Sequence, residues 1–338
     1  MKVKNKINIG LASLRIYLSF LVVTTHCFRP KATIRKKIII KLIYNNIHVP
    51  TFYVLSFYFC YKLFKLNNIK KIKIRFQRLL IPYFVWPIII WSLQNLLSFL
   101  SIKINKISFK KLILQFLTGH VFMTVLWFQY DLIFITLLIF IIHLYNEKWS
   151  LYILINLKLF GIFFTYSNYN YIIFSKYYSY IKYPFGRFFE VIPYSITGYI
   201  FGYLNLIQII TKNRIISINI FLSILFLIMK YGIFVQIKGF FCQGLNLYVS
   251  SICIFFIFSL IPSEKFGNNF IIKIIEFISN HTAGIYFIHL SLYYNLRIFS
   301  LINNQKLIGA IIIYFIAFFV SVYGKKTFKK TKLINLFQ

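Results

Sequence analysis

Apolar stretches of about twenty residues recur along the whole chain and are separated by short polar and basic segments. Each stretch is long enough to cross a hydrocarbon core of about 30 Å as a helix. The pattern predicts about ten spans, at residues 9–28, 46–64, 79–100, 122–144, 150–166, 188–208, 215–232, 245–262, 280–300 and 307–323.

The spans predict an all-α fold, a polytopic membrane helix bundle. Lipid leaves only helices and closed barrels as spanning structures, and barrel strands alternate and run for only about ten residues. Segments 104–118 and 266–278 are shorter and amphipathic, which is typical of helices in the membrane interface. No hydrophilic stretch is long enough for a second domain, so we expect one membrane domain over 1–338 with a short basic cytoplasmic tail from about 324.

The composition excludes a soluble globular domain and a disordered chain. The chain has 338 residues, of which 59% are hydrophobic and 13% charged. A soluble domain usually carries about a quarter charged residues, and a disordered chain is poor in apolar residues. The first span contains Arg15 and lacks a small-residue cleavage site, so we expect a retained helix and not a signal peptide.

The charge is strongly basic, with 39 Lys and Arg against five acidic residues. The lysines lie in clusters between apolar runs, so anionic membrane lipids are the expected partner and nucleic acid is not. The difference in Lys and Arg between the two sides of the membrane is too small to set the orientation of the chain. Clusters 62–78 and 325–332 nevertheless favour the inner side of the membrane for these two segments. The four cysteines and the histidines show no metal-ligand spacing, so we expect no metal.

Two ionisable residues lie in the first predicted span. Arg15 and His26 are eleven residues apart, which places both side chains on one helix face roughly 16 Å apart along the axis. An ionisable residue within a span indicates a functional site. The alternative, equally open from these residues alone, is that Arg15 reaches the headgroups and His26 satisfies a helix end.

The segment that opens the third span carries Arg75 and Arg78, which are neighbours on a helix face. Paired guanidinium groups suit phosphate, because each presents a planar fork of donors. Without other evidence, ordinary juxtamembrane charge is the favoured interpretation of this pair.

The remaining candidates lie in later spans. His281 and His289 are eight residues apart in the ninth span, and hydrogen bonding within the bundle is the alternative to a catalytic role. Asp131 and Glu190 are buried acidic candidates, and either is a possible partner of Arg15 or of a histidine.

Several segments, in order, resemble the acyltransferase 3 family of integral-membrane acyltransferases. The first span has the family's Arg-x10-His spacing, and KKIKIRFQRLLIPYFVW is very like its "K-x-R-x-x-R-L-L-x-P-Y" segment. HVPTFYVLSFYFCYKL, LWFQYDLI, ITGYIFG and AGIYFIHL resemble four further family segments. One departure is that Phe57 or Tyr58 stands where the family usually has glycine. The matches run from residue 9 to about 292.

The resemblance implies about ten helices with both termini in the cytoplasm, in the bacterial cytoplasmic (inner) membrane. It also implies transfer of an acyl group, usually acetyl from acetyl-CoA, to a hydroxyl of a cell-surface polysaccharide or other glycan. Acyl-CoA is then a donor substrate, and no tightly bound cofactor is expected. Larger members carry an appended hydrolase-like domain, so we expect a stand-alone form here.

The resemblance and the residues together predict roles. His26 is the expected catalytic base, since imidazole has an ordinary pKa of about 6.5. Arg15 orients the donor, and Arg75 and Arg78 hold the CoA phosphates. An oxyanion needs a hydrogen-bond donor, for which the candidates are Arg15, Tyr286 and His289. Supporting roles are expected for a further set of residues: Tyr286, His289, Trp127, Asp131 and Glu190.

Two other classes compete with this interpretation. A polytopic glycan polymerase or a lipid-linked-oligosaccharide flippase would also be basic and rich in aromatic residues. Those proteins more often have a long extracytoplasmic loop, and here the longest candidate, 167–187, is short. A small-solute transporter is less favoured, because the sequence shows neither inverted repeats nor pairs of broken helices.

Overall fold

A computed structural model describes most of the chain. The described residues are 8–27, 47–66, 69–99, 106–119, 121, 123, 126–145, 147–166, 179–232, 245–262, 269–298 and 307–337. Within these ranges the secondary structure is helical, with no strand. The all-α fold class predicted from the apolar pattern is confirmed.

The described residues form a series of α-helices. In chain order they are α1 (Ile9–Cys27), α2 (His48–Lys65), α3 (Ile69–Phe99), α4 (Phe109–Thr118), α5 (Leu126–Tyr145), α6 (Glu147–Tyr166), α7 (Ser179–Tyr203), α8 (Leu206–Ile210), α9 (Arg214–Gly232), α10 (Leu245–Ser259), α11 (Asn269–Ser279), α12 (Thr282–Ile298) and α13 (Leu307–Thr327). Two short 3-10 helices, Thr211–Asn213 and Lys332–Leu336, complete the described elements.

Each of the ten predicted spans overlaps one of these helices. The bounds of the sixth, 188–208, are wrong at the end, because α7 stops at Tyr203 and α8 joins α9 in one apolar stretch, Leu206–Leu227. By length and composition, five described stretches are apolar enough to cross a membrane alone. A sixth is added if α11 and α12, which are bent by 42° at their junction, form one broken span. Polytopic membrane architecture is therefore clear, and a total of ten spans stays a prediction.

Two helices extend well beyond the apolar runs that predicted them. The 31-residue α3 is about 46 Å long and carries Pro82 and Pro87 within it. Its first turns, which carry Arg75 and Arg78, therefore belong to the same continuous helix as the apolar run. Similarly, α7 begins at Ser179, nine positions before the predicted boundary, which makes Arg187 a helical residue.

Helix α1 lies in the interior of the bundle. It packs against α2, α10, α11, α12 and α13. Leu14, Leu18 and Val23 are fully buried along it. Both functional candidates of the first span, Arg15 and His26, are therefore presented to other helices and are only partly accessible.

Helices α2 and α7 approach each other very closely. Gly198 of α7 sits on the Val54 backbone, and Gly202, one turn later, sits on Tyr58 and Tyr61. Glycines four residues apart let membrane helices pack backbone to backbone. This contact fixes α2, which carries part of the functional site, against α7.

A Gly198→Ala substitution is expected to lower the free energy of unfolding by about 1–3 kcal/mol, because the new methyl group would meet the Val54 backbone. Thermal unfolding in detergent measures this. Gly161→Ala is the matched control, since its added carbon would meet nothing nearer than the Pro193 ring at 3.2 Å and needs a much smaller shift of its neighbours. Equal melting temperatures for wild type and Gly198→Ala would contradict the close packing.

The basic tail expected from about residue 324 folds back onto the helix bundle. Helix α13 continues to Thr327, and the chain then returns against α3 through the 3-10 helix. Leu336 and Phe337 are buried, and Phe337 stacks on Phe328 with ring centroids 5.9 Å apart. This segment, residues 332–337, is called the C-terminal clasp below.

Candidate functional site

A cavity of about 420 Å³ lies where six parts of the bundle meet. Its walls come from α1, α2, α3, α5, the junction of α11 with α12, and the end of α13. The lining is mixed: aromatic residues such as Phe52 and Phe59 alternate with polar residues such as Ser56, Gln129 and Asn280.

Four cationic side chains line this cavity: Arg15, Arg75, Arg78 and Lys325. Among the described lining residues there is no carboxylate. The Arg15 guanidinium lies over the Phe59 ring, 4.9 Å from its centroid, and it is close enough to Arg75 and Arg78 to feel their charge. Cations gathered without a carboxylate favour an anionic ligand.

Arg75 is held across two helices. Its Nη2 donates hydrogen bonds to Ser56 Oγ at 3.1 Å and to Thr136 Oγ1 at 3.4 Å. Its Nε is buried and has no hydrogen-bond partner among the described residues. Phe57, one of the two residues at the departure from the family pattern, is fully buried with its ring centroid 5.8 Å from the Arg75 guanidinium. The guanidinium is thus oriented before any ligand arrives.

Histidines gather at the other end of α1. The His26 and His289 rings have centroids 5.4 Å apart. His289 Nδ1 lies 3.2 Å from the Ile285 carbonyl oxygen, which favours the tautomer that donates from Nδ1. Its Nε2 is buried without a hydrogen-bond partner in the described part of the chain. His48, at the start of α2, is buried and interacts electrostatically with both.

Tyr286 connects the cationic cavity with the histidines. It lines the cavity, and its ring centroid is 6.1 Å from that of His289, one turn further along α12. On its other side it contacts Phe128, at 5.4 Å between centroids. The predicted site residues Arg15 and His26 are therefore joined by side chains of one neighbouring helix.

A buried ion pair lies next to this site. Arg187 Nε is 2.9 Å from Asp131 Oδ2, and the two side chains are 3% and 0% exposed. The Arg187 guanidinium also lies 4.8 Å from the Trp127 ring centroid. Tyr53, which contacts Phe128, donates a hydrogen bond from its hydroxyl to Asp131 at 3.5 Å.

The structure thus divides the predicted supporting residues into two groups. Tyr286 and His289 lie between the cavity and His26. Trp127 and Asp131 lie instead around Arg187, outside the cavity lining. Glu190 is buried on α7, one turn after Arg187.

Sequence reasoning missed two residues. The apolar pattern places Arg187 in the loop 167–187, although the i, i+3 spacing to Glu190 in GRFFE is a helical signal. Lys325 is one of several lysines in the basic segment 325–332, and nothing in its local sequence sets it apart. His281, in contrast, pairs with Ser321 through Nδ1 and Oγ at 3.1 Å, which matches the bundle hydrogen bond considered as its alternative role.

Fold and site together define a class: an integral membrane helix bundle with a cation-lined cavity next to paired histidines. Comparison with family models narrows this class. The model of the acyltransferase 3 family, described as an acyltransferase domain, matches residues 8–325. The chain belongs to this family and is a membrane acyltransferase. This membership favours the acyltransferase interpretation over the polymerase or flippase. Neither the curated proteins nor the solved structures gave a match.

Proposed function

We propose that this protein moves an acetyl group from acetyl-CoA to a hydroxyl of a cell-surface polysaccharide or other glycan. One observation carries the proposal: the cavity with four cations is connected through Tyr286 to His289 and His26. A phosphate-rich donor fits the cations, and an acid–base residue lies where the acyl end of that donor would reach.

Donor binding is assigned to the arginines. Arg75 and Arg78 contact the CoA phosphates, since the planar fork of a guanidinium matches phosphate oxygens. Arg15 orients the donor further inside. The pantetheine arm is long and thin, so it follows α1 from the cavity past Tyr286 toward His26, a path of roughly 16 Å.

His26 acts as the general base. The acceptor hydroxyl oxygen attacks the thioester carbonyl carbon while the imidazole of His26 accepts the hydroxyl proton. The carbon–sulfur bond then breaks, and the departing thiolate takes up that proton, which leaves an ester and free CoA. His289 uses its Nδ1 hydrogen toward Ile285, so Tyr286 is the better placed hydrogen-bond donor to the oxyanion.

The proposal includes an orientation. The cationic cavity, formed by the start of α3 and the end of α13, faces the cytoplasm, where CoA is made. The histidine end faces outward, where a glycan is presented. Both termini are then cytoplasmic, in the bacterial cytoplasmic (inner) membrane, with the lysine clusters against anionic lipid headgroups. The whole chain, 1–338, acts as one transmembrane domain.

Transfer of radiolabelled acetyl groups tests the proposal directly. Purified protein in detergent is mixed with labelled acetyl-CoA and a panel of glycans carrying free hydroxyls. We expect label on at least one glycan, with one CoA thiol released for each ester formed. Folded protein that neither binds CoA nor transfers label would refute the proposed donor.

An Arg78→Gln substitution is expected to raise the KM for acetyl-CoA about tenfold or more, because one charge-assisted contact to phosphate is worth about 1.5–3 kcal/mol. The turnover rate should change little. Lys73→Gln is the matched control, since Lys73 is an exposed cation on the same helix outside the cavity lining. Equal KM values for the two variants would argue against phosphate binding at Arg78.

A further inference from the structure

The last helix contributes a cation to the cavity. Lys325 is half-buried and lines the cavity with Arg78, and the charges of the two interact. The next residue, Lys326, is exposed and is not part of the lining. Adjacent helical residues point about 100° apart, which explains why one lysine enters the cavity and its neighbour faces away.

The C-terminal clasp holds this end of α13 in place. The Phe337 ring packs directly on Gly324, the residue before Lys325, where a side chain would leave no room for it. Phe337 also contacts Trp86 of α3 at 6.2 Å between ring centroids. The clasp therefore ties the last turn of α13 to the helix that carries Arg75 and Arg78.

A half-buried ammonium group beside Arg78, in a cavity that two further guanidinium groups line, is unfavourable without an anion. The cavity offers none from its own described lining. Lysine is a common phosphate ligand and acts as a point charge, whereas arginine adds a planar fork. The cavity thus provides charge for more than one phosphate group, as the diphosphate and the ribose phosphate of CoA would require.

We propose that Lys325 is a donor-binding residue whose ammonium group contacts a phosphate of CoA, and that the C-terminal clasp positions it. This inference rests on the proposed function and deepens it, because it assigns part of the donor site to the end of the last helix. A lipid headgroup is the other source of phosphate at a membrane surface.

Calorimetric titration of CoA into the full-length protein in detergent is the test. Lys325→Gln is expected to weaken CoA binding about tenfold or more, as for loss of one charge-assisted contact. Lys326→Gln, which removes the same charge one position away, should bind like wild type. Thermal unfolding verifies that the variants are folded. Lys325→Met, which keeps the apolar stem, replaces Lys325→Gln if that variant is not monodisperse.

The clasp is tested by a double-mutant cycle. Phe337→Ala should weaken CoA binding in the wild-type background, since the end of α13 is released. In the Lys325→Gln background the same substitution should have little further effect, because the side chain that it positions is gone. Additive effects of the two substitutions would overturn the positioning role of the clasp.

The outcomes separate this inference from the proposed function. If wild type binds CoA and Arg78→Gln weakens it while Lys325→Gln matches Lys326→Gln, the role of Lys325 is overturned and the donor stands. If folded wild type binds no CoA, both fall. Phosphatidylglycerol retention, measured by native mass spectrometry, forms a second arm. Loss of lipid in Lys325→Gln with unchanged CoA affinity would assign the phosphate to lipid and overturn the inference.

Discussion

The His26→Ala protein is expected to lose about 10²–10⁴-fold in acyl transfer while it binds CoA with wild-type affinity. A positioned general base contributes in the transition state, when the acceptor hydroxyl gives up its proton. The donor phosphates are expected at the other end of α1, roughly 16 Å away, so removal of the imidazole leaves the donor site intact. The substitution should therefore lower turnover and leave CoA affinity unchanged.

The measurement pairs single-turnover transfer of labelled acetyl with CoA titration on the same preparation. His143→Ala is the matched control, since it removes an imidazole that contacts Tyr199 and lies outside the cavity lining. That variant should keep its transfer activity. Folded His26→Ala with full activity would exclude His26 as the base. A variant that loses CoA binding instead would place His26 in the donor site.

Much of the fold follows from the apolar pattern, and the physical reason is the bilayer. A lipid-exposed backbone must satisfy its hydrogen bonds within one helix, so a long apolar run has a single solution. Runs such as 9–28 and 307–323 therefore match α1 and α13 closely.

The pattern fails where a helix leaves the apolar region. Helix α7 begins before the apolar run that predicts it and so includes Arg187. The Arg187 side chain pairs there with the buried carboxylate of Asp131. Likewise, α3 extends through the basic segment that precedes its apolar run. Hydropathy marks the hydrocarbon core and not the helix, so such boundaries cannot be derived from it.

The site was predictable in part for a related reason. Arg15 and His26 share one helix, so helix geometry alone places them on one face. The pairing of His26 with His289, and the arrival of Lys325 beside Arg78, depend on how α1, α12, α13 and α3 pack. Those contacts join residues far apart in sequence, and no local spacing encodes them.

The Asp131–Arg187 ion pair shows the same limit: the sequence identifies the buried carboxylate but not the cation that pairs with it. The sequence indicates that Asp131 needs a cation and offers Arg15 or a histidine as partners. Arg15 instead lies over Phe59, and Asp131 pairs with Arg187. The partner of Asp131 is set by where α5 crosses α7. That crossing depends on how the two helices bury their apolar faces, which local sequence spacing does not encode.

Asp131→Ala is expected to destabilise the protein by about 3–5 kcal/mol, because it removes the carboxylate that pairs with the buried Arg187 Nε. Arg187→Ala should cost a similar amount by leaving the carboxylate. Unfolding in mixed micelles, followed by circular dichroism, measures both. Lys212→Ala, at an exposed cation, is the control and should stay within about 0.5 kcal/mol of wild type.

The double variant Asp131→Ala/Arg187→Ala gives the sharper result. Removal of both charges leaves neither member of the pair behind, so the loss of stability in the double variant should be clearly smaller than the sum of the two single losses. Strict additivity would show that the two side chains do not stabilise each other. The double variant also separates a structural role from a catalytic one. Because Asp131 lies outside the cavity lining, the folded double variant should still transfer acetyl groups, whereas the folded His26→Ala protein should not.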